Sequence, residues 1–320
     1  MKSAFITGIE GFAGSHLAEL LLKEGYRVCG TVLDLKKIDN IKHLLKRVKI
    51  LECNILNYYK LRSAVKRFKP DVIFHLAGIA SIPESFRVPG TTYKINFWGT
   101  YNLLESIRKY SPDTRVLIVG SAHEYGRLKE KELPVKESHP LKPETPYGAS
   151  KAAAEMLSLQ YYYSFGIKIF LVRSFNHIGP RQNPAFVLSS FAKQIAEIMK
   201  GNVPAVLKTG NLNVYRDFTD VRDVVNAYLL VVEKGKCGEI YNVCSGKAVK
   251  LGYILKKMLT IAGCRARVVT EKMRMRKSEM FKFYGDNTKL KNATGWKQHY
   301  KLEETITDLL DWWQQELGMR

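Results

Sequence analysis

The sequence has little cysteine and comparatively little acid. Its 5 cysteines (Cys29, Cys53, Cys237, Cys244, Cys264) are scattered, odd in number and nowhere spaced Cys-x-x-Cys. That pattern suggests neither a disulfide framework nor a zinc site, and the thiols are expected to be small buried apolar groups. No apolar run approaches the length of a membrane span, so no membrane partner is expected. Residues 1–7 lead into a glycine-rich turn rather than a cleavage site, which makes a cytoplasmic protein the expectation. There is no internal repeat and no low-complexity tract. Asp and Glu number 30 against 51 Lys and Arg, a net charge of +21. Such a balance fits nucleic acid, anionic lipid or an acidic small substrate. The basic residues are spread along the chain, densest at Lys36-Lys37, 129–136 and 272–282, rather than gathered in one tail or helix. This favours a lysine-rich surface over a nucleic-acid partner.

A length of 320 residues suffices for one large domain or two closely joined ones. The first apolar run, 2–7, ends in Gly8-Ile9-Glu10-Gly11-Phe12-Ala13-Gly14, after which Leu17, Leu20, Leu21 and Leu22 recur with helical spacing. Strand, glycine turn and helix in this order suit a dinucleotide: the glycines allow a tight turn and let backbone amides approach a pyrophosphate at the helix N-terminus. A second strand, 27–33, ends at Asp34, about where an acid is needed on the adenosine ribose. Lys36 and Lys37 follow and suit a 2′-phosphate instead, so NAD and NADP both stay open.

The alternation continues through strand 48–51, helix 58–68, strand 71–78, a helical pattern over 91–109, strand 115–120 and strand 168–173. Repeated units of this kind predict an α/β fold with a doubly wound parallel Rossmann sheet. Ligands of such sheets bind beyond the carboxyl ends of the strands, which places Ser121 for chemistry. After residue 173 the regular alternation fails. We expect a Rossmann domain over 1–173, with 214–244 returning to it, and a smaller mixed α/β substrate domain from 174–213 and 245–320. Helices are predicted over 187–199, 221–233, 251–262 and 302–316, and a short strand over 240–243.

Thr145-Pro146-Tyr147-Gly148-Ala149-Ser150-Lys151 starts another helix, with Thr145 as N-cap and Pro146 at the first helical position. Tyr147 and Lys151 then share one face. A phenol beside an ammonium can transfer protons near neutral pH. Taken alone, this pair is weak evidence and reads rather as a tyrosine packed beside a snorkelling lysine.

In this order Gly8-x-x-Gly11-x-x-Gly14, Ser121 and Tyr147-x-x-x-Lys151 resemble the extended short-chain dehydrogenase/reductase superfamily, the NAD-dependent nucleotide-sugar epimerases, dehydratases and reductases. So do His75-Leu76-Ala77-Gly78, Asn96-x-x-Gly99-Thr100, Asn176-His177-Ile178-Gly179-Pro180, Arg216-Asp217-Phe218-Thr219-Asp220-Val221-Arg222-Asp223, Tyr241-Asn242-Val243-Cys244-Ser245-Gly246 and Thr294-Gly295-Trp296. The segments 174–180 and 216–223 are most similar to those of GDP-4-keto-6-deoxy-D-mannose reductases and, somewhat less, GDP-mannose 4,6-dehydratases. The resemblance implies that Ser121 hydrogen-bonds the sugar C4 oxygen and Tyr147 transfers the proton. Lys151 would hold the nicotinamide ribose and depress the phenol's pKa. Gly8, Gly11, Phe12, Ala13, Gly14, Asp34, Asn54, Ile55 and Ala77, with Tyr147 and Lys151, would hold NAD(P)(H). Asn176, Lys193, Arg216, Arg276 and Glu279 would contact a GDP-sugar. The resemblance also implies a homodimer, formed by pairing the helix after the fourth strand with the Tyr147 helix into a four-helix bundle. Tyr161, Tyr162 and Tyr163 are expected in that contact or in the core.

Departures bear on the reaction. Dehydratases of this group commonly carry a glutamate two residues after the serine or threonine; here that position is His123, and Glu124, in an extended segment, would face the opposite way. His123 either shapes the pocket or serves as the base of an elimination. Asn54 stands where relatives often have aspartate, Lys277 where proline is usual, and Val32 replaces the ribose-binding acid of NAD-type epimerases. Reduction of a C4 ketone fits the residues best. A GDP-mannose 4,6-dehydratase, a nucleotide-sugar 4-epimerase and a catalytically inactive basic Rossmann binding protein are the alternatives.

Overall fold

The computed structural model describes residues 1–271 and 280–319. Arg276, Glu279, Lys277 and most of the basic patch 272–282 lie outside the described residues. Six strands, β1 (Ser3–Thr7), β2 (Arg27–Val32), β3 (Lys49–Glu52), β4 (Val72–His75), β5 (Arg115–Ser121) and β6 (Lys168–Ser174), join Ile240–Val243 in one seven-stranded sheet. All its pairings are parallel, and its order is Ile240–Val243, β6, β5, β4, β1, β2, β3. Every residue of β1 and β4 is buried, as expected of strands covered on both faces. The chain runs outward from β1 to β3 and then returns to β4 on the other side of β1. That reversal opens a crevice between the carboxyl ends of β1 and β4.

Helix α1 (Phe12–Lys23) and the helix Val221–Lys234 cover one face, burying Leu17, Leu21, Val224 and Tyr228 with Phe74 and Phe170. On the other face lie α2 (Tyr58–Phe68), the short helices α3 (Ile82–Arg87) and α4 (Pro89–Tyr93), then α5 (Gly99–Tyr110) and α6 (Pro146–Phe165). There Leu61, Leu103, Leu104 and Tyr161 pack on Phe5, Ile73 and Ile169. The helical pattern expected over 91–109 is broken by a π-helical turn, Lys94–Trp98, between α4 and α5. Asn96 lies in this turn. Its side chain accepts from the Ile79 N–H at 2.9 Å and donates to the Ile79 carbonyl at 3.1 Å and to Ser150 Oγ at 2.9 Å. It thereby ties the loop after β4 to α6.

Beyond β6 the helices Val187–Met199, Leu251–Ala262 and Leu302–Glu316 pack around Phe191, Ile195, Leu207, Ile254, Met258 and Leu309. Small sheets lie between them. Tyr215–Arg216 is flanked by Val249–Lys250 and Lys282–Phe283, Val206–Thr209 pairs with Arg267–Thr270, and Asn176–Ile178 pairs with Phe218–Asp220. These strands carry no local signal of their own. Among the described residues no helix is long and apolar enough to cross a membrane, and no group of His, Cys, Asp and Glu is arranged to hold a metal ion.

Candidate active site

A cavity of about 650 Å³ opens at the carboxyl ends of the central strands, lined by the glycine turn, the end of β5, the start of α6 and the segment 174–188. The turn is built so that a ligand can come close. Gly8 has φ +71, and a Cβ there would lie 3.1 Å from the Ala77 Cα; one on Gly14 would lie 2.3 Å from the Gly8 carbonyl oxygen. Gly11 begins α1 without a side-chain cap. The first amides of α1, beside Phe12, Ala13 and Gly14 in the cavity wall, are thus left for an anion. This cradle fits the diphosphate of a dinucleotide.

The opposite wall presents the proton-transfer groups. Thr145 Oγ1 accepts the Gly148 N–H at 3.0 Å, Pro146 opens α6, and Gly166 with φ 68 ends it, so the local sequence sets both ends. One turn apart, Tyr147 and Lys151 both reach the cavity, as do Ser121 and His123. Burial pushes the Tyr147 phenol up to about 12, with a hydrogen bond to Ser121 pulling the other way. Burial also lowers Lys151, to about 8, an effect that a charge on Glu124 would oppose. The Lys151 ammonium donates to the Val119 carbonyl at 2.8 Å. For the phenol of the unliganded site, removal of the phenolate from water dominates.

The segment after Ser121 also differs from expectation. It is a 3₁₀ turn, Ala122–Glu124, rather than extended chain: the His123 N–H donates to Ser121 Oγ at 3.2 Å, and the Ser121 N–H donates to Glu124 Oε1 at 2.5 Å. Glu124 does turn away from the cavity, but because it caps this turn and is buried beneath it. His123 lies over the site, its ring 6.1 Å from that of Tyr147 and 6.0 Å from that of Phe283.

The remaining candidates divide. Asn176 lines the cavity and donates to the Asp217 carbonyl at 3.0 Å. Asp34 caps its own loop, accepting the Lys36 N–H at 2.9 Å, and Asn54 does the same for Leu56. Ile55 is buried against Gly99, and Ala77 donates its N–H to Thr7 Oγ1 at 3.1 Å. Lys193 pairs with Glu197 at 3.7 Å beside Trp313, while Arg216 donates to the carbonyls of Tyr215 and Met280. None of Asp34, Asn54, Ile55, Ala77, Lys193 and Arg216 lines the described cavity.

Sequence reasoning gave no role to His75. Its Nδ1 is 2.8 Å from Thr7 Oγ1 and its Nε2 3.1 Å from Thr100 Oγ1, whose own proton goes to the Asn96 carbonyl. Nε2 is thus the donor and Nδ1 the acceptor, so the ring is neutral. Burial, then Lys151, holds its pKa down to about 3. The motif His75-Leu76-Ala77-Gly78 was the only signal of it.

The sequence profile of the GDP-mannose 4,6 dehydratase family matches residues 5–309. The chain belongs to this family. It lies within the extended short-chain dehydrogenases/reductases and is an NAD(P)-dependent enzyme of the nucleotide-sugar epimerase, dehydratase and reductase type. It is 35% identical over 312 residues to GDP-6-deoxy-D-mannose reductase of Pseudomonas aeruginosa, covering 97% of this chain and 96% of that one. The fold is similar to a solved structure of RMD from Pseudomonas aeruginosa complexed with NADPH, with TM-score 0.86 and 32% identity over 99% of this chain and 100% of that one. It is also similar to UDP-glucose 4-epimerase of Thermotoga maritima with UDP-glucose, with TM-score 0.89 and 29% identity over 98% and 99%.

Proposed function

We propose that the protein reduces the C4 ketone of a GDP-4-keto-6-deoxyhexose with NADH or NADPH, in the making of a deoxysugar nucleotide. The observation that carries this reading is the composition of the cavity wall. Among the described residues that line it there is no aspartate and no glutamate. An elimination of water across C5 and C6 needs a base there, and position 123 carries His123. A ketone reduction needs none.

The Ser121 hydroxyl and the Tyr147 phenol hold the ketone oxygen. A phenol whose pKa is pushed up to about 12 keeps its proton at neutral pH, the form that reduction requires. Tyr147 gives that proton to the oxygen, the ketone becomes a secondary alcohol, and solvent reprotonates the phenolate. The nicotinamide cofactor, when bound, supplies the hydride. Lys151, charged below about 8, holds the nicotinamide ribose.

Residues 1–173 and 214–244 form the cofactor side in this reading, with Asp34 and Asn54 toward the adenosine. Segments 174–213 and 245–320 form the sugar-nucleotide side, with Asn176, Lys193, Arg216, Arg276 and Glu279 on the GDP-sugar. Arginine suits a diphosphate through its planar fork. The 35% identity to a GDP-6-deoxy-D-mannose reductase supports the choice of sugar nucleotide. The working form is a homodimer through α5 and α6, supported by exposed Trp98, Met156, Tyr163 and Phe165 on and beside those helices.

Purified protein is to be incubated with the 4-keto-6-deoxy derivative of GDP-mannose and NADPH or NADH. The reading fails if reduced-nicotinamide absorbance stays flat with both cofactors. A second reading, GDP-mannose 4,6-dehydratase with His123 as base, rests on the His123 ring beside Tyr147. Formation of a 4-keto product from GDP-mannose without net cofactor consumption would favour it.

A further inference from the structure

Behind Ser121 lie two carboxyls and one guanidinium, all buried: Glu124, Glu155 and Arg173 have relative exposures of 0%, 1% and 3%. They come from three elements. Glu155 stands one turn beyond Lys151 on α6, on the stripe that carries Tyr147, whereas Arg173 is on β6 and Glu124 ends the turn that follows β5. Arg173 grips Glu155 with two bonds, Nε to Oε2 at 2.9 Å and Nη2 to Oε1 at 2.6 Å, and its Nη1 donates to the Glu137 carbonyl at 3.0 Å. Its plane covers the Tyr125 ring at 4.8 Å. Glu155 is therefore the anion that balances Arg173.

Glu124 has no such partner. Its Oε1 accepts the Ser121 N–H at 2.5 Å. Its Oε2 is buried without a hydrogen-bond partner, 3.7 Å from an Arg173 Nε already given to Glu155. The other nearby cation, Lys151, donates to Val119 instead. A second anion in this place would lack water and a hydrogen-bonded counter-charge of its own, since Arg173 stands 3.7 Å away with its charge already committed to Glu155. A carboxylic acid would not, since it can accept the Ser121 N–H on one oxygen and give its own proton to the Glu155 carboxylate that interacts with it.

We propose that Glu124 works as a neutral carboxylic acid that positions Ser121: the Glu155–Arg173 ion pair holds its proton, and it holds the turn that aims the Ser121 hydroxyl at the sugar carbonyl. Burial, and then the Glu155 charge, push its carboxyl well above the usual carboxylate range, in keeping with this state. The groups facing it are Tyr147, Lys151 and Glu155 from α6, Arg173 from β6 and Tyr125 beside it. Of these, Tyr147 and Lys151 feel its charge directly, and an anionic Glu124 would raise both. Neutrality at Glu124 keeps two acid–base groups of the site from drifting upward. The inference rests on the proposed roles of Ser121 and Tyr147 in handling a carbonyl, but one arm of its test does not.

That arm is infrared spectroscopy of the whole protein at neutral pH. We expect a carboxylic-acid C=O stretch, set apart from the carboxylate and amide bands, that disappears in Glu124→Gln. Wild-type protein without such a band overturns the proposal, whatever the substrate proves to be. In the kinetic arm, glutamine reproduces both hydrogen bonds of the neutral acid, so Glu124→Gln keeps kcat within about threefold of wild type, while Glu124→Ala loses about tenfold to a hundredfold through a misplaced Ser121. Equal loss in the two variants overturns the proposal. Glu155→Gln removes the anion that Arg173 needs, so Glu124 should ionise, the acid band should vanish and the alkaline limb of the kcat/KM profile for the cofactor should move to higher pH. A band and limb unchanged in Glu155→Gln would assign the proton elsewhere. Should Glu124→Ala fail to fold, the wild-type spectrum and the two glutamine variants still decide.

Discussion

The Thr7 hydroxyl meets the His75 ring at 2.8 Å where β1 and β4 part around the cavity. One buried neutral imidazole thus fastens the glycine turn to the strand beside it. Its ring has no room for a second proton, because Nδ1 is an acceptor and burial holds the pKa down to about 3.

Acid should therefore weaken the fold. As pH falls below the ordinary histidine range, the unfolded chain binds a proton that native His75 refuses, and stability drops until the pH reaches about 3. The slope is at most about 1.4 kcal/mol per pH unit for this group. His16, held down to about 4 by burial and then by Arg181, adds in the same direction. Asp217, raised to about 6 by burial, opposes both between its unfolded pKa and about 6. Comparing wild type with His75→Gln by urea unfolding at neutral pH and near pH 5 isolates the first contribution. The variant should be less stable at neutral pH by about 1–3 kcal/mol and visibly less sensitive to acid. Parallel pH dependences in the two proteins would contradict the neutral-ring assignment.

Tyr147→Phe removes the proton donor and should lower kcat by about 10²- to 10⁴-fold, with cofactor affinity little changed. Isothermal titration with NADPH or NADH beside steady-state kinetics checks both halves.

Lys151 sets an alkaline limb. Its ammonium is lost as pH rises through about 8, so kcat/KM for the cofactor should fall there and not at the phenol's much higher value. Lys151→Arg, which stays charged, should move or abolish that limb even if its rate is lower. A limb unmoved in the variant would assign it to another group.

The glycine turn tolerates no side chain at its third glycine, where a Cβ would sit 2.3 Å from the Gly8 oxygen. We expect Gly14→Ala to lower the melting temperature and to weaken dinucleotide binding by about tenfold or more. Gly25→Ala is the control for backbone strain alone, since its φ is +76 but nothing lies within 4 Å of the added carbon. Equal cofactor affinity in the two variants would show that the turn's shape is not what binds the diphosphate.

Met156 and Tyr163 stand two turns apart on one side of α6 at 49% and 76% exposure. If α5 and α6 build a dimer, Met156→Lys should shift the protein to the monomer in light scattering at micromolar concentration. Tyr161 is unsuited to that role, because it is buried and its hydroxyl donates to Glu105 at 2.8 Å.

The parts of this molecule that announce themselves are those fixed by neighbours in sequence. Thr145, Pro146 and Gly166 bound α6 without help from the rest of the fold, and the helices 187–199, 251–262 and 302–316 follow from their apolar periodicity. The two-residue strand Tyr215–Arg216 could not be seen, because what makes it a strand is Val249–Lys250 on one side and Lys282–Phe283 on the other. The turn at Ala122–Glu124 was misjudged for a related reason. Sequence alone reads Glu124 only as an acid facing away from the site in extended chain, because Arg173 and Glu155, which lie beside it in the fold, are distant in sequence. Asp34 stands after β2 as expected from sequence, and one of its carboxylate oxygens also accepts the neighbouring Lys36 amide, a local bond that sequence spacing alone does not announce.

Ile240–Val243 lies outside β6 at the rim of the central sheet, although the whole segment 175–239 intervenes in the chain. A nascent polypeptide that has released only its first 173 residues therefore exposes β6 as an unpaired edge. Ribosome stalling or truncation at that point should yield an aggregation-prone product rather than a soluble cofactor-binding fragment. The shortest piece able to close its own sheet ends no earlier than Val243, so any attempt to divide the protein at the level of DNA must carry much of the sugar-facing segment along with the cofactor half.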